Sequence, residues 1–292
     1  MNRTVVGILC GLGAASIWGG MYVVSKVVLE IIPPFSLVTL RLILGTITLA
    51  IVLLIRGFPN ISRRQVWQVV GVGFVGYGIS LSLQFLGTKL STAANGSLVT
   101  SATPAFVLLF AWMLLGERIT PRRLLALFLA TLGVIAVIDP RSAQVNPALF
   151  LGNLMLIGAA ITWALYSVLV RKVTKNIDVL LFSLIAFLGG LPVVIPMGAR
   201  ELATAGVGEI SLGVIGGVLF LGIISTALAM VLWNTAFSYV DASLASLTFF
   251  AQPLVGTFLG WLFLNEKITP LFLLGGLLIG IGLIISSREP NP

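Results

Sequence analysis

Ten long apolar runs, separated by short polar stretches, take up most of the chain. They fall at residues 6–29, 36–56, 65–86, 93–115, 122–139, 150–170, 178–198, 212–235, 243–264 and 270–287. Most come close to the roughly 20 residues a helix needs to cross about 30 Å of hydrocarbon. Helix is the expected element throughout, because a helix satisfies its own backbone hydrogen bonds where no water can. The strict alternation of a membrane β-barrel is absent. The pattern predicts an all-α membrane protein with ten transmembrane helices.

Composition names the solvent. Of 292 residues, 58% are hydrophobic and 9% charged, against about 25% charged in soluble domains. The longest polar interruption, around Arg200 to Glu209, is loop-sized and leaves no room for a soluble domain. Arg3 followed by Val5–Gly13 resembles the start of a signal peptide, but the apolar run continues to Val28, too long for a signal core. Cys10 follows Gly7-Ile8-Leu9, without the small residue expected before a lipidated cysteine. The first run is expected to be a retained span.

Two absences narrow the chemistry. The chain has no histidine, which excludes Ser-His-Asp or Cys-His catalysis and His-ligated metals within it. Its single cysteine, Cys10, allows no internal disulfide and no cysteine cluster. No metal and no cofactor is expected.

The net charge of +8 belongs to topology rather than to nucleic acid, because the basic residues lie mostly between apolar runs. With the N-terminus inside, eleven fall in cytoplasmic positions: Arg3, Arg56, Arg63, Arg64, Arg118, Arg122, Arg123, Arg171, Lys172, Lys175 and Arg288. Five fall outside: Lys26, Lys89, Arg141, Arg200 and Lys267. Arg41 lies within the second span. The bias predicts both termini in the cytoplasm and a multi-pass protein of the bacterial inner membrane.

The two halves share a pattern. Trp112-Met113-Leu114-Leu115-Gly116-Glu117-Arg118-Ile119-Thr120-Pro121 returns once, as Trp261-Leu262-Phe263-Leu264-Asn265-Glu266-Lys267-Ile268-Thr269-Pro270. At the same offset of 149, Pro104 matches Pro253 and Gly133 matches Gly282; at 145, Trp18 matches Trp163 and Lys26 matches Arg171. Five spans per repeat is odd, so residues 1–145 and 146–292 are expected to insert with opposite orientation. Inverted repeats meeting near the midplane are a transporter architecture.

At these residues the chain resembles the drug/metabolite transporter superfamily in its EamA branch. The likeness rests on Trp18 and its repeat Trp163, on Arg41 after Pro33-Pro34, and on the twice-occurring Pro, Trp and Leu-x-Glu-[Arg/Lys]-Ile-Thr-Pro pattern. It covers essentially the whole chain. Arg41 aligns with Ala186, so the second half lacks this arginine. Within the branch the chain is similar overall to bacterial exporters of aromatic amino acids. The resemblance implies a small-molecule substrate, a lipid bilayer as surroundings and no obligate protein partner.

Candidate substrate contacts come from polar ladders on single helix faces. These are Trp18, Tyr22 and Ser25 in the first span, Tyr77, Ser80 and Gln84 in the third, and Trp163, Tyr166 and Ser167 in the sixth. Trp and Tyr hold an apolar ligand while offering one hydrogen bond; the same residues also form interfacial belts, and Ser also packs helices. Trp233, Asn234 and Gln252 are further candidates, because polar groups in lipid turn toward protein or water. An interhelical hydrogen bond would serve them equally well. Pro104 and Pro253, near mid-span, would free the carbonyls of Thr100 and Phe249 and act on hinging or cavity shape. Glu117 and Glu266 are expected to cap loops or pair with Arg118, Lys267 and neighbouring bases. Gly-x-x-x-Gly pairs such as Gly7/Gly11 are common by chance among 32 glycines.

These readings favour a secondary transporter exporting aromatic or other apolar amino acids by alternating access. Another metabolite or a lipophilic drug, with or without proton coupling, is the alternative substrate reading. No Asp or Glu lies mid-span, which argues for facilitated transport. No phosphate-binding Gly-rich loop is present to support ATP-driven transport. An intramembrane enzyme would need a nucleophile and base, or paired carboxylates, at one depth. A channel suits inverted, Pro-interrupted halves less well than a carrier.

Overall fold

The computed structural model describes residues 2–90, 102–138, 150–264 and 270–287. Among these, helix fills the apolar runs and no strand occurs. α1 spans Arg3–Leu29 and α2 Pro34–Arg56. α3, Arg63–Gly73, runs through a π-helical segment, Phe74–Ser80, into α4, Leu81–Leu90. α5 is Thr103–Leu115 and α6 Pro121–Ile138. α7 spans Phe150–Val173 and α8 Val179–Ala205. α9, Leu212–Leu219, passes through a second π-helical segment, Phe220–Leu228, into α10, Ala229–Tyr239. α11, Ala242–Leu247, continues through a 3-10 turn, Thr248–Phe250, into α12, Ala251–Leu264. α13 is Pro270–Ser287.

Local chemistry sets the boundaries. Ser62 and Gln65 form a reciprocal capping box at the start of α3, and Asp178 accepts from the N–H groups of Leu180 and Leu181 at the start of α8. α5 stops at Gly116, whose φ of +70° favours glycine.

Large apolar side chains point outward: Ile55 is 83% exposed and Leu212 87%. Among the described residues, six helices are long and apolar enough to cross a membrane, with shorter apolar helices beside them. An outer surface of this kind is stable only against lipid.

The packing pairs helices across the two halves of the chain. α1 packs on α10 and α12; α7 packs on α4 and α5; α2 packs on α8; α6 packs on α13. Close approach is built in at glycines. A Cβ on Gly133 would lie 2.6 Å from the Gly275 carbonyl oxygen, and one on Gly282 would lie 2.8 Å from that of Ala126. Gly133 in α6 and Gly282 in α13 are each other's counterparts at the offset of 149 read from the sequence.

Candidate functional site

α1, α2, α4, α5, α7, α10 and α12 line a central cavity that opens to solvent, with about 560 Å³ of atom-free space counted together with that opening, and side chains from both halves face it. Its apolar wall comes from Trp18, Trp163, Phe85, Phe249 and the methionines Met21 and Met230. Its polar groups are Arg41, Ser80, Gln84, Thr103 and Gln252.

The second π-helical segment positions two of these residues. The N–H of Ala229 bonds the carbonyls of Ile224 and Thr226, bypassing Ser225. The Ser225 carbonyl instead accepts the Trp18 indole N–H at 3.0 Å, which fixes the ring plane. π-bulges often mark functional sites because they free such groups. The same segment orients Arg41, which donates from Nε to Thr226 Oγ1 at 3.1 Å and from Nη2 to Ser225 Oγ at 3.4 Å and Met21 Sδ at 3.2 Å. These contacts orient the guanidinium of a residue only 6% exposed. Gln252 is 7% exposed, and its side-chain oxygen is buried with no hydrogen-bond partner among the described residues.

The candidate ladders divide into two groups. Trp18, Ser80, Gln84, Trp163 and Gln252 line the cavity. Tyr77, Tyr166, Ser167, Trp233 and Asn234 lie behind it, fully buried. Tyr166 donates to Asn234 Oδ1 at 2.8 Å, so the Tyr77 hydroxyl is the donor in its bond to Tyr166. Asn234 Nδ2 continues the chain to Ser183, which donates to the Val179 carbonyl. Trp233 donates to Ser167, and Ser167 to the Trp163 carbonyl. The third-span ladder therefore does not share one face. The wider π turn over Phe74–Ser80 rotates Tyr77 toward Tyr166 and Phe187, away from the side that Ser80 and Gln84 present. Gly76 permits this, since a Cβ there would lie 2.3 Å from the Tyr166 ring. The Tyr22 side chain lies outside the described residues.

The two prolines differ in setting. Pro253 follows the 3-10 turn Thr248–Phe250 directly, in the first turn of α12. Pro104 stands in the first turn of α5, Thr103–Leu115, where a missing N–H costs little. Thr100 lies outside the described residues.

At one end of the bundle the charged side chains join. Glu117 accepts from the N–H groups of Ala242 at 2.7 Å and Ser243 at 3.2 Å, capping α11. Arg123 bridges Glu117 at 3.2 Å and Asp241 at 2.8 Å, and Arg171 reaches Asp241 at 3.4 Å. Glu117 thus pairs with Arg123, because the Gly116 turn aims its carboxylate at the α11 N-terminus. Glu266 and Lys267 lie outside the described residues.

Sequence reasoning left Arg41, Met21, Thr103, Met230 and Phe249 off the site. For Arg41 the signal was present: a charge inside a span is costly and faces the bundle interior. Nothing in residue type singles out the other four.

A helical bundle with an apolar exterior and an aromatic and polar cavity between its helices is the form of a multi-pass membrane transporter. The sequence model of the EamA-like transporter family matches this chain twice, over residues 5–138 and 150–288. The chain belongs to that family. The uncharacterized transporter YoaV of Bacillus subtilis (strain 168) is 24% identical over 294 residues, 98% of this chain and 97% of its own length. An uncharacterized transporter of Archaeoglobus fulgidus is 25% identical over 277 residues, 94% of this chain and 95% of its own. A crystal structure at 21% identity has the same fold, with a TM-score of 0.82 covering 96% of both chains.

Proposed function

We propose that the protein is a facilitative secondary transporter that exports aromatic or other apolar amino acids by alternating access. The observation that carries this reading is the cavity, where Trp18, Trp163 and Phe249 stand beside the amides of Gln84 and Gln252 and the Arg41 guanidinium. Aromatic walls suit an apolar side chain, and a few fixed polar groups orient its polar end. The overall likeness to YddG, an exporter of aromatic amino acids, agrees with it.

The architecture we infer is ten transmembrane helices in two inverted five-helix repeats, residues 1–145 and 146–292, in the bacterial inner membrane with both termini cytoplasmic. The double family match supports the repeat. So does the packing: exchanging each helix for its counterpart in the other half turns the α1 pairs into the α7 pairs and returns α2–α8 and α6–α13 to themselves. Counterparts α3–α4 and α9–α10 each carry a π-helical segment, at Phe74–Ser80 and Phe220–Leu228. Arg3 lies over the Tyr239 ring at the end where Arg123 and Arg171 meet Asp241. One end thus gathers residues that charge counting assigns to the cytoplasm. The Glu117–Arg123–Asp241–Arg171 cluster ties α5, α6, α7 and α11 there and would act as a gate.

Purified protein in liposomes tests the function, with a panel of amino acids, nucleosides and lipophilic drugs and no imposed ion gradient. Counterflow of an external aromatic amino acid into liposomes loaded with the same compound is expected. Flux of nucleosides or drugs alone would refute the amino acid reading, and flux without counterflow would indicate a channel.

A further inference from the structure

We infer that the groove between α3 and the end of α7 binds one anionic phospholipid, whose phosphate meets Lys172 and Lys175. The inference needs only the membrane setting of the fold and is independent of which substrate the central cavity carries.

Two kinds of side chain line this groove. Lys172, Lys175 and Asn176, at the end of α7 and in the turn after it, stand across from Gln65 and Gln68 of α3. Val72, Leu169, Val173 and Ile177 supply the apolar part. No carboxylate is among the described lining residues. The turn Thr174–Asn176 is a 3-10 helix, whose three-residue period carries Lys175 round to the side of Lys172.

The charge at this place is unbalanced. Lys172 and Lys175 are both exposed, and neither makes an ion pair among the described residues. The carboxylates that neighbouring bases use are already engaged. Arg171 reaches Asp241 at 3.4 Å, where Arg123 also binds. Asp178, the acid nearest in sequence, lies 3.6 Å from Arg56 and accepts from the N–H groups of Leu180 and Leu181. An exposed lysine by itself is a solvated charge. Two of them over an apolar groove between membrane helices match a phosphate that carries acyl chains, and basic pockets of this kind take anionic headgroups.

A glycine gives an independent observation of room for such a ligand. A Cβ on Gly71, which lines the groove, would meet nothing within 4 Å among the described residues. Gly73, two residues on, differs: a Cβ there would run into the Ala186 backbone. Glycine inside a helix is costly relative to alanine. Packing explains that cost at Gly73, whereas at Gly71 the bare position keeps the groove open. Trp67, exposed one turn before Gly71, is the residue type that sits at the headgroup level of a bilayer.

Lipid titration of the purified protein in detergent, read by native mass spectrometry, tests the site. The probes are dioleoylphosphatidylglycerol, dioleoylphosphatidylcholine (same chains, no net charge) and glycerol phosphate (phosphate without chains). The wild type is expected to bind one phosphatidylglycerol about twenty-five times more tightly than phosphatidylcholine, roughly fivefold for each lysine. Lys172→Gln and Lys175→Gln should each lower that preference about fivefold, and the double variant should abolish it. Gly71→Leu should weaken both lipids severalfold by filling the groove. Its lipid-free melting temperature should equal or exceed that of the wild type, because leucine is the better helix former and enters open space. Arg63→Gln, at an exposed base outside the lining, should change nothing. Equal affinity for the two lipids, or the same loss in Arg63→Gln as in Lys172→Gln, would overturn the inference. So would unchanged lipid binding in Gly71→Leu. Glycerol phosphate bound as tightly as phosphatidylglycerol would assign the lysines to a soluble phosphate instead of a lipid.

Discussion

The cavity wall and the hydrogen-bonded chain behind it are made of the same kinds of side chain, yet they differ in what their polar atoms meet. Behind the wall, Tyr77, Tyr166, Asn234 and Ser183 pass hydrogen bonds along a chain that ends on the Val179 carbonyl. Trp233 and Ser167 close a second chain on the Trp163 carbonyl. At the wall, Trp18 and Ser80 spend their donors on backbone carbonyls, and Gln252 keeps an unpartnered oxygen. A satisfied network specifies packing, whereas an unsatisfied one is available to a ligand. The Gln252 oxygen, without a partner among the described residues, is the point at which the wall departs from the saturated scaffold.

Three substitutions sharpen that contrast, and the largest effect is expected behind the wall. Tyr166→Phe removes the donor to Asn234 and the acceptor of Tyr77, stranding two buried groups. It should cost about 2 kcal/mol or more of stability, while transport per folded molecule stays near wild type. Thermal unfolding and counterflow on the same preparation would check both.

Trp163→Ala comes next and should show the opposite balance. The ring lines the cavity but also stacks on Tyr166, with centroids 4.9 Å apart, so a stability loss of about 1 kcal/mol is expected. Apparent affinity for an aromatic substrate should fall by roughly five- to thirtyfold. A large loss of stability with unchanged affinity would move Trp163 to the scaffold.

Gln84→Ala should have the smallest effect, about fivefold or less on affinity with unfolding close to wild type, as expected for one neutral hydrogen bond. Substrate titration of counterflow measures it. Wild-type affinity would remove Gln84 from the contact set.

The helical class of the chain was legible because hydrocarbon permits few solutions. Twenty-residue apolar runs and the absence of alternation left helices as the spanning element. Trp18, Ser80, Gln84, Trp163 and Gln252 were legible as interior groups for the same energetic reason. What could not be read was rotation. The ladder rule assumes an α-helical turn, and the π-helical segment Phe74–Ser80 breaks it between Tyr77 and Gln84. Nor does sequence show which polar atoms find each other: Tyr166 and Asn234 lie 68 positions apart. Glu117 was read as a cap or ion-pair partner, but its actual partners, Arg123 and the α11 N-terminus, depend on tertiary packing.

Substrate protection of a cysteine in the wall tests the central claim most directly. In a Cys10→Ala background, Gln84→Cys would report on the cavity and Gln68→Cys, on the exposed side of α3, would serve as control. The alkylation rate with a small thiol reagent is measured in proteoliposomes with and without saturating L-phenylalanine. The account predicts severalfold slower alkylation of Gln84→Cys with substrate, unchanged alkylation of Gln68→Cys, and loss of counterflow once Gln84→Cys is modified. Equal rates at Gln84→Cys with and without substrate, together with wild-type counterflow after its complete modification, would contradict it.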